Sequence, residues 1–108
     1  MARFIVSGPG AAVVAPAPVT PEKWLCSETQ RRLDAFARER GYDNLLSLCS
    51  YVDSSETTFA AEGALGIQIR DETWRALYRI IDEAKAGTRP WPESYDDLSA
   101  ELPALLWP

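Results

Sequence analysis

Apolar residues recur at helical intervals along most of this chain. Leu33, Phe36 and Ala37 share one face of a first helix, and Leu45, Leu48, Cys49 and Val52 follow the i, i+3, i+4, i+7 rule of a second, shorter one. The first helix has two possible starts. Thr20 before Pro21 is an N-cap with a first-turn proline, and Ser27 with Gln30 is a capping box; spacing does not choose between them. Gly41 supplies the stop, and Asp43 stands where a cap for the second helix belongs. On the wet side, Glu28/Arg32 and Asp34/Arg38 are spaced for i,i+4 ion pairs. The polar run from Asp53 to Thr58 reads as a loop rich in alternative caps.

A third helix is predicted over residues 58–86, ended by Gly87. At 100° per residue, Leu65, Ile67, Ile69, Trp74, Ala76, Leu77, Tyr78, Ile80, Ile81 and Ala84 cover an arc of about 200°. Asp71, Glu72, Arg75, Arg79 and Asp82 fill the rest, with Asp71/Arg75 and Arg79/Glu83 spaced for ion pairs. One packing partner needs only about 100° of apolar stripe, so this helix must touch more than one element. Gly63 and Gly66 each weaken it by about 1 kcal/mol relative to alanine, or admit another backbone at close range.

In the tail, Pro90 and Pro92 force an extended step around Trp91, and Ser94 with Asp97 can cap a short helix that ends before Pro103. Leu98, Leu102, Leu105, Leu106 and Trp107 give that tail an apolar side. The N-terminus is different. Residues 1–21 form an Ala/Pro/Gly-rich arm, either a semi-rigid spacer or a leader without function. Residues 2–6 can form a single strand that has no partner within the chain, so Phe4 and Ile5 would pair with another chain. The expected fold class is all-α: a small three-helix domain with a short C-terminal helix over residues 22–108, preceded by the extended arm.

Composition removes several functions. The chain has 108 residues, no histidine and a formal charge of −5. Without histidine the commonest general base, the usual catalytic triads and most zinc sites are gone. The acidic balance argues against a nucleic-acid partner. Carboxylate neighbours such as Asp71-Glu72, Asp82-Glu83 and Asp96-Asp97 point about 100° apart on a helix and do not converge on one atom. Serines such as Ser47 and Ser50 have no base beside them, Gly8-Pro9-Gly10 lacks the lysine of a phosphate loop, and no calcium-loop spacing is present. No enzymatic activity, metal or cofactor is expected. Cys26 and Cys49 could form one bridge, but with no further cysteines they read first as two half-buried thiols in a reducing cytosol. Residues 4–19 only superficially resemble a secretion signal, because Ser7-Gly8-Pro9-Gly10 interrupts the apolar run. No stretch approaches the roughly 20 apolar residues of a membrane span, so no membrane partner is expected.

Arg70 falls inside the apolar arc, between Ile67, Trp74 and Leu77. An unpaired buried guanidinium costs several kcal/mol, so it needs a partner. Either it forms an internal ion pair with Asp34, Asp43 or Asp53, or it belongs with Trp74 and Tyr78 to a docking face. Trp74 reads first as a core cap. Trp91 and Trp107, flanked by prolines, serve equally as core edges or as interface anchors.

Three runs carry a resemblance: ARERGYDNLLSLCSYVDSS (37–55), FAAEGALGIQIRDETWRALYRIIDEAKAGTRPWP (59–92) and ELPALLWP (101–108). Together they resemble short proteins encoded in the tail-fibre region of tailed bacteriophages, over about two-thirds of the chain; the first 20 residues lie outside it. Such proteins are described as tail-fibre or tail assembly chaperones. The resemblance implies a small helical accessory, in the host cytoplasm during assembly, that binds a phage tail-fibre or tail protein stoichiometrically, and it brings no catalytic residue. The binding residues expected are Phe4, Ile5, Arg70, Trp74, Tyr78, Trp91 and Trp107. A minor structural protein retained in the virion tail, a small inhibitor of a host defence protein, and a homo-oligomer stay open at this point.

Overall fold

Thr20, not Ser27, starts the first helix. The computed structural model describes residues 20–108, and in it the Thr20 Oγ1 accepts the Lys23 N–H at 3.2 Å while Pro21 occupies the first turn. The strand expected at 2–6, Phe4, Ile5 and the arm up to residue 19 lie outside the described residues. In chain order the elements are α1 (Pro21–Arg38), α2 (Leu45–Cys49), a 3-10 turn (Ser50–Asp53), α3 (Thr57–Lys85) and α4 (Tyr95–Glu101). There is no strand among the described residues, so the domain is all-α.

Both long helices end as their glycines dictate. Gly41 (φ 88°) and Gly87 (φ 78°) sit in the left-handed region, and the residue after each bonds back five positions, Tyr42 to Ala37 and Thr88 to Glu83. The cap of α2 is Asn44 rather than the expected Asp43: its side chain accepts the Ser47 N–H at 2.8 Å. Ser94 caps α4 through the Asp97 N–H as its spacing predicts.

α1 and α3 run in opposite directions, tied at one end by Lys85 and Glu22 at 2.7 Å. Two apolar clusters lie along them. Leu33, Phe36, Ala37, Tyr42, Leu45, Leu48, Cys49 and Ile69 join α1, α2 and α3 near the α1 C-terminus. Leu25, Ala76, Leu77, Ile80, Ile81, Leu98 and Leu102 join α1, α3 and α4 at the other end. Each fully buried leucine contributes roughly 1.5–3 kcal/mol, and five lie at 0% exposure across the two clusters. Trp74 packs against both. α3 therefore serves several partners, as its wide apolar arc requires.

Gly63 explains how the 3-10 turn seats. A methyl there would stand 2.8 Å from Tyr51 C and Val52 Cα, so backbone rests directly on α3 at that turn. Gly66 faces the Leu48 side chain in the same way.

The expected surface ion pairs did not form. Arg31, not Arg32, pairs with Glu28; Arg38 donates to the Asp43 carbonyl; Asp34 accepts from Gln30 and from the Leu45 N–H. Asp34 is more useful holding the start of α2 than in an exposed pair worth a few tenths of a kcal/mol. Arg75 and Arg79 make no ion pair among the described residues, and Asp71 is taken by Arg70. Both cysteines are free thiols.

Candidate functional site

Arg70, Trp74 and Tyr78 stand one helical turn apart along α3. Each step of four residues drifts about 40° round the helix, so the row climbs out of the core as it runs. Arg70 and Trp74 are half-buried and Tyr78 is 57% exposed, its ring 6.0 Å from that of Trp74. The internal ion pair expected for Arg70 is absent. Its Nε donates to the adjacent Asp71 at 3.0 Å on the surface, and none of Asp34, Asp43 or Asp53 reaches it. α2 ends at Cys49 and the 3-10 turn after it packs back onto Gly63, so neither element brings a carboxylate to the flank of α3 that carries Arg70.

Across that flank lies a shallow groove of about 190 Å³ lined by Gln30, Leu45, Leu46, Cys49, Arg70 and Trp74. Leu46 on its far wall is 77% exposed, the most exposed large apolar side chain among the described residues. Burial pushes the Cys49 thiol up from its usual value, and its side chain forms part of the groove wall. The result is an aliphatic side, an aromatic pair and one accessible guanidinium around a trough, the combination common at protein–protein contacts.

The other two tryptophans stand elsewhere. Trp91 packs on the second apolar cluster and lines a separate recess of about 350 Å³ with Pro90, Pro92 and the Arg89–Glu101 pair. Arg89 holds the Glu101 carboxyl below its usual range. Trp107 stacks on Phe36 at 4.2 Å between ring centres, with an angle of 11° between planes. Gln30, on the Trp74 groove, and Glu39, beside Trp107, are about 180° apart around α1. The structure thus brings Arg70, Trp74 and Tyr78 together and sets Trp91 and Trp107 apart from them. No protein-family model, curated protein or solved structure matches this chain.

Sequence reasoning missed a second polar centre. Glu62 on α3 is only 5% exposed, and it accepts from the Tyr42 hydroxyl at 2.7 Å and pairs with Arg40. Arg40 in turn lies 4.7 Å from the Trp107 ring centre, and the Trp107 Nε1–H donates to Glu39 at 3.2 Å. Leu46 was also missed; as the lone exposed leucine in a helix of five residues, it breaks the inward pattern of Leu45, Leu48 and Cys49. Among the described residues no group of three or more cysteine or carboxylate side chains could hold a metal ion, and no helix is long and apolar enough to cross a membrane.

Proposed function

We propose that this chain is a non-catalytic binding protein that covers an apolar segment of a partner with the face formed by Arg70, Trp74, Tyr78 and Leu46. The resemblance of residues 37–55, 59–92 and 101–108 to short phage tail-region proteins points to a tail-fibre or tail subunit as that partner, held stoichiometrically before assembly. One observation carries the reading: an exposed leucine lines a groove with a half-buried tryptophan and an arginine, and an exposed tyrosine stands one turn along α3 from that tryptophan. Isolated surface leucines mean little, whereas this grouping offers one contiguous patch with a cation at its edge.

The test is co-expression with a tail-fibre subunit of the same phage. The wild-type chain should co-purify with the subunit and raise its soluble yield, and it should be missing from purified virions by mass spectrometry. Leu46→Glu with Tyr78→Glu changes two solvated side chains, so the fold should persist while co-purification drops at least tenfold. Undiminished capture by the double variant would overturn the assignment of this face. Fixed stoichiometry in virions would overturn the chaperone role in favour of a structural one.

A further inference from the structure

We propose that the face at the C-terminal end of α1, formed by Phe36 and by Glu39 and Arg40 just after it, is a recognition site for an extended segment bearing a tryptophan after aliphatic residues, a site the protein's own C-terminal tail occupies until a partner segment of that chemistry displaces it. Three features of the face match an indole. The Phe36 ring stacks parallel to it, the Glu39 carboxylate accepts its N–H, and the Arg40 guanidinium lies close to its ring. Arg32 adds a backbone contact, donating Nη2 to the Pro103 carbonyl at 2.9 Å.

The face is also braced from the side away from the tail. Arg40 is held from behind by Glu62, which is buried and fixed in turn by Tyr42, and α1 itself is anchored by both apolar clusters. A site organised before its ligand arrives loses little entropy on binding. The tail, by contrast, is held by side-chain contacts alone: Leu105 and Trp107 pack on the first apolar cluster, and Arg32 and Glu39 bond to it. After Leu102 it has no regular structure and no backbone–backbone hydrogen bond among the described residues; Leu106 is 73% exposed, and Leu105 and Trp107 are only half-buried. A segment without backbone pairing opens at lower cost than the helices it rests on. The sequence of the tail, Leu105-Leu106-Trp107-Pro108, shows what the face accepts. Because it lies on the opposite side of α1 from the Trp74 groove, this site stands or falls separately from the proposed function.

The experiment uses the full chain and a labelled peptide of sequence ELPALLWP. In the Trp107→Ala chain the tail loses its anchor and the peptide should bind in trans, with amide shifts at Phe36, Glu39 and Arg40. In the wild-type chain the tethered tail competes at an effective concentration of about 1 mM, so a peptide with Kd ~0.1 mM should bind roughly tenfold more weakly. The same peptide with alanine in place of its tryptophan should not bind. Equal affinity for the two chains within twofold, or shifts centred on Leu46 and Trp74 instead, would overturn the proposal. If Trp107→Ala loses its helical circular dichroism, wild-type chain labelled with 5-fluorotryptophan decides. Excess peptide should then move the Trp107 fluorine resonance to a solvent-exposed position, and an unmoved resonance rejects displacement.

Discussion

Tyr42 is 9% exposed and donates its hydroxyl to a buried carboxylate, so ionising it would place two negative charges side by side in the core. Burial first, and then the bond to Glu62, push its pKa up to about 12 from the usual 10; Arg40 offsets part of this. The native state therefore holds this proton more tightly than the unfolded chain does. The associated stability is fully present below pH 10 and is lost as pH rises from 10 to about 12. Urea midpoints of the wild-type and Tyr42→Phe chains, measured from pH 8 to pH 12, should show this. The phenylalanine chain is less stable at pH 8, where Glu62 has lost a donor, and its midpoint falls less across the upper window. Parallel curves would show that Tyr42 and Glu62 do not share a proton-linked contact. Glu62 was within reach of the sequence: it lies 18 residues from Ile80, which is five helical turns and the same face. The arithmetic that flagged Arg70 flags Glu62 equally, but only the fold shows that the first position is half open and the second closed.

At the level of single elements, helix ends and apolar faces were legible because they are local. Gly41, Gly87, the Ser94 cap and the span of α3 to within one residue all follow from side-chain spacing. The exposed ion pairs were not: Arg32 found the Pro103 carbonyl and Arg38 that of Asp43, Asp71 went to Arg70, and pairs this exposed are worth too little to fix their own geometry. Gly63 was seen as either a weak point or a place of close approach, and the structure selects the second. Alanine there gains about 1 kcal/mol of helix propensity but drives a methyl into the backbone of Tyr51 and Val52, which cannot turn aside. A net loss of about 2 kcal/mol is expected for Gly63→Ala. Gly66→Ala meets the Leu48 side chain instead and should lose less. Chemical denaturation at unchanged m-value measures both; a stabilised Gly63→Ala would mean that the 3-10 turn does not sit on α3.

For the whole molecule, the question is whether two apolar clusters at opposite ends of one helix pair unfold together. Trp74 is the aromatic residue that packs on both, and it also lines the groove proposed to bind a partner. The two roles conflict in any experiment that simply deletes it. Trp74→Ala removes a large half-buried side chain from the junction and should lower stability by about 2–3 kcal/mol, below the cost at a fully buried site because part of the ring is already in water. Tyr78→Ala removes a side chain that is 57% exposed and should change stability by no more than about 0.5 kcal/mol. With the junction weakened, unfolding of the Trp74→Ala chain by urea should give separate transitions for the two ends, the end holding Leu77, Ile80 and Leu98 melting apart from that holding Leu48 and Ile69. Hydrogen exchange at Ile69 and at Ile80 reads each end directly: equal protection in the wild-type chain and unequal protection in the variant are expected. Equal protection in both would make α3 itself, rather than Trp74, the source of cooperativity, and a loss of partner binding on substituting Trp74 would then report on the groove alone.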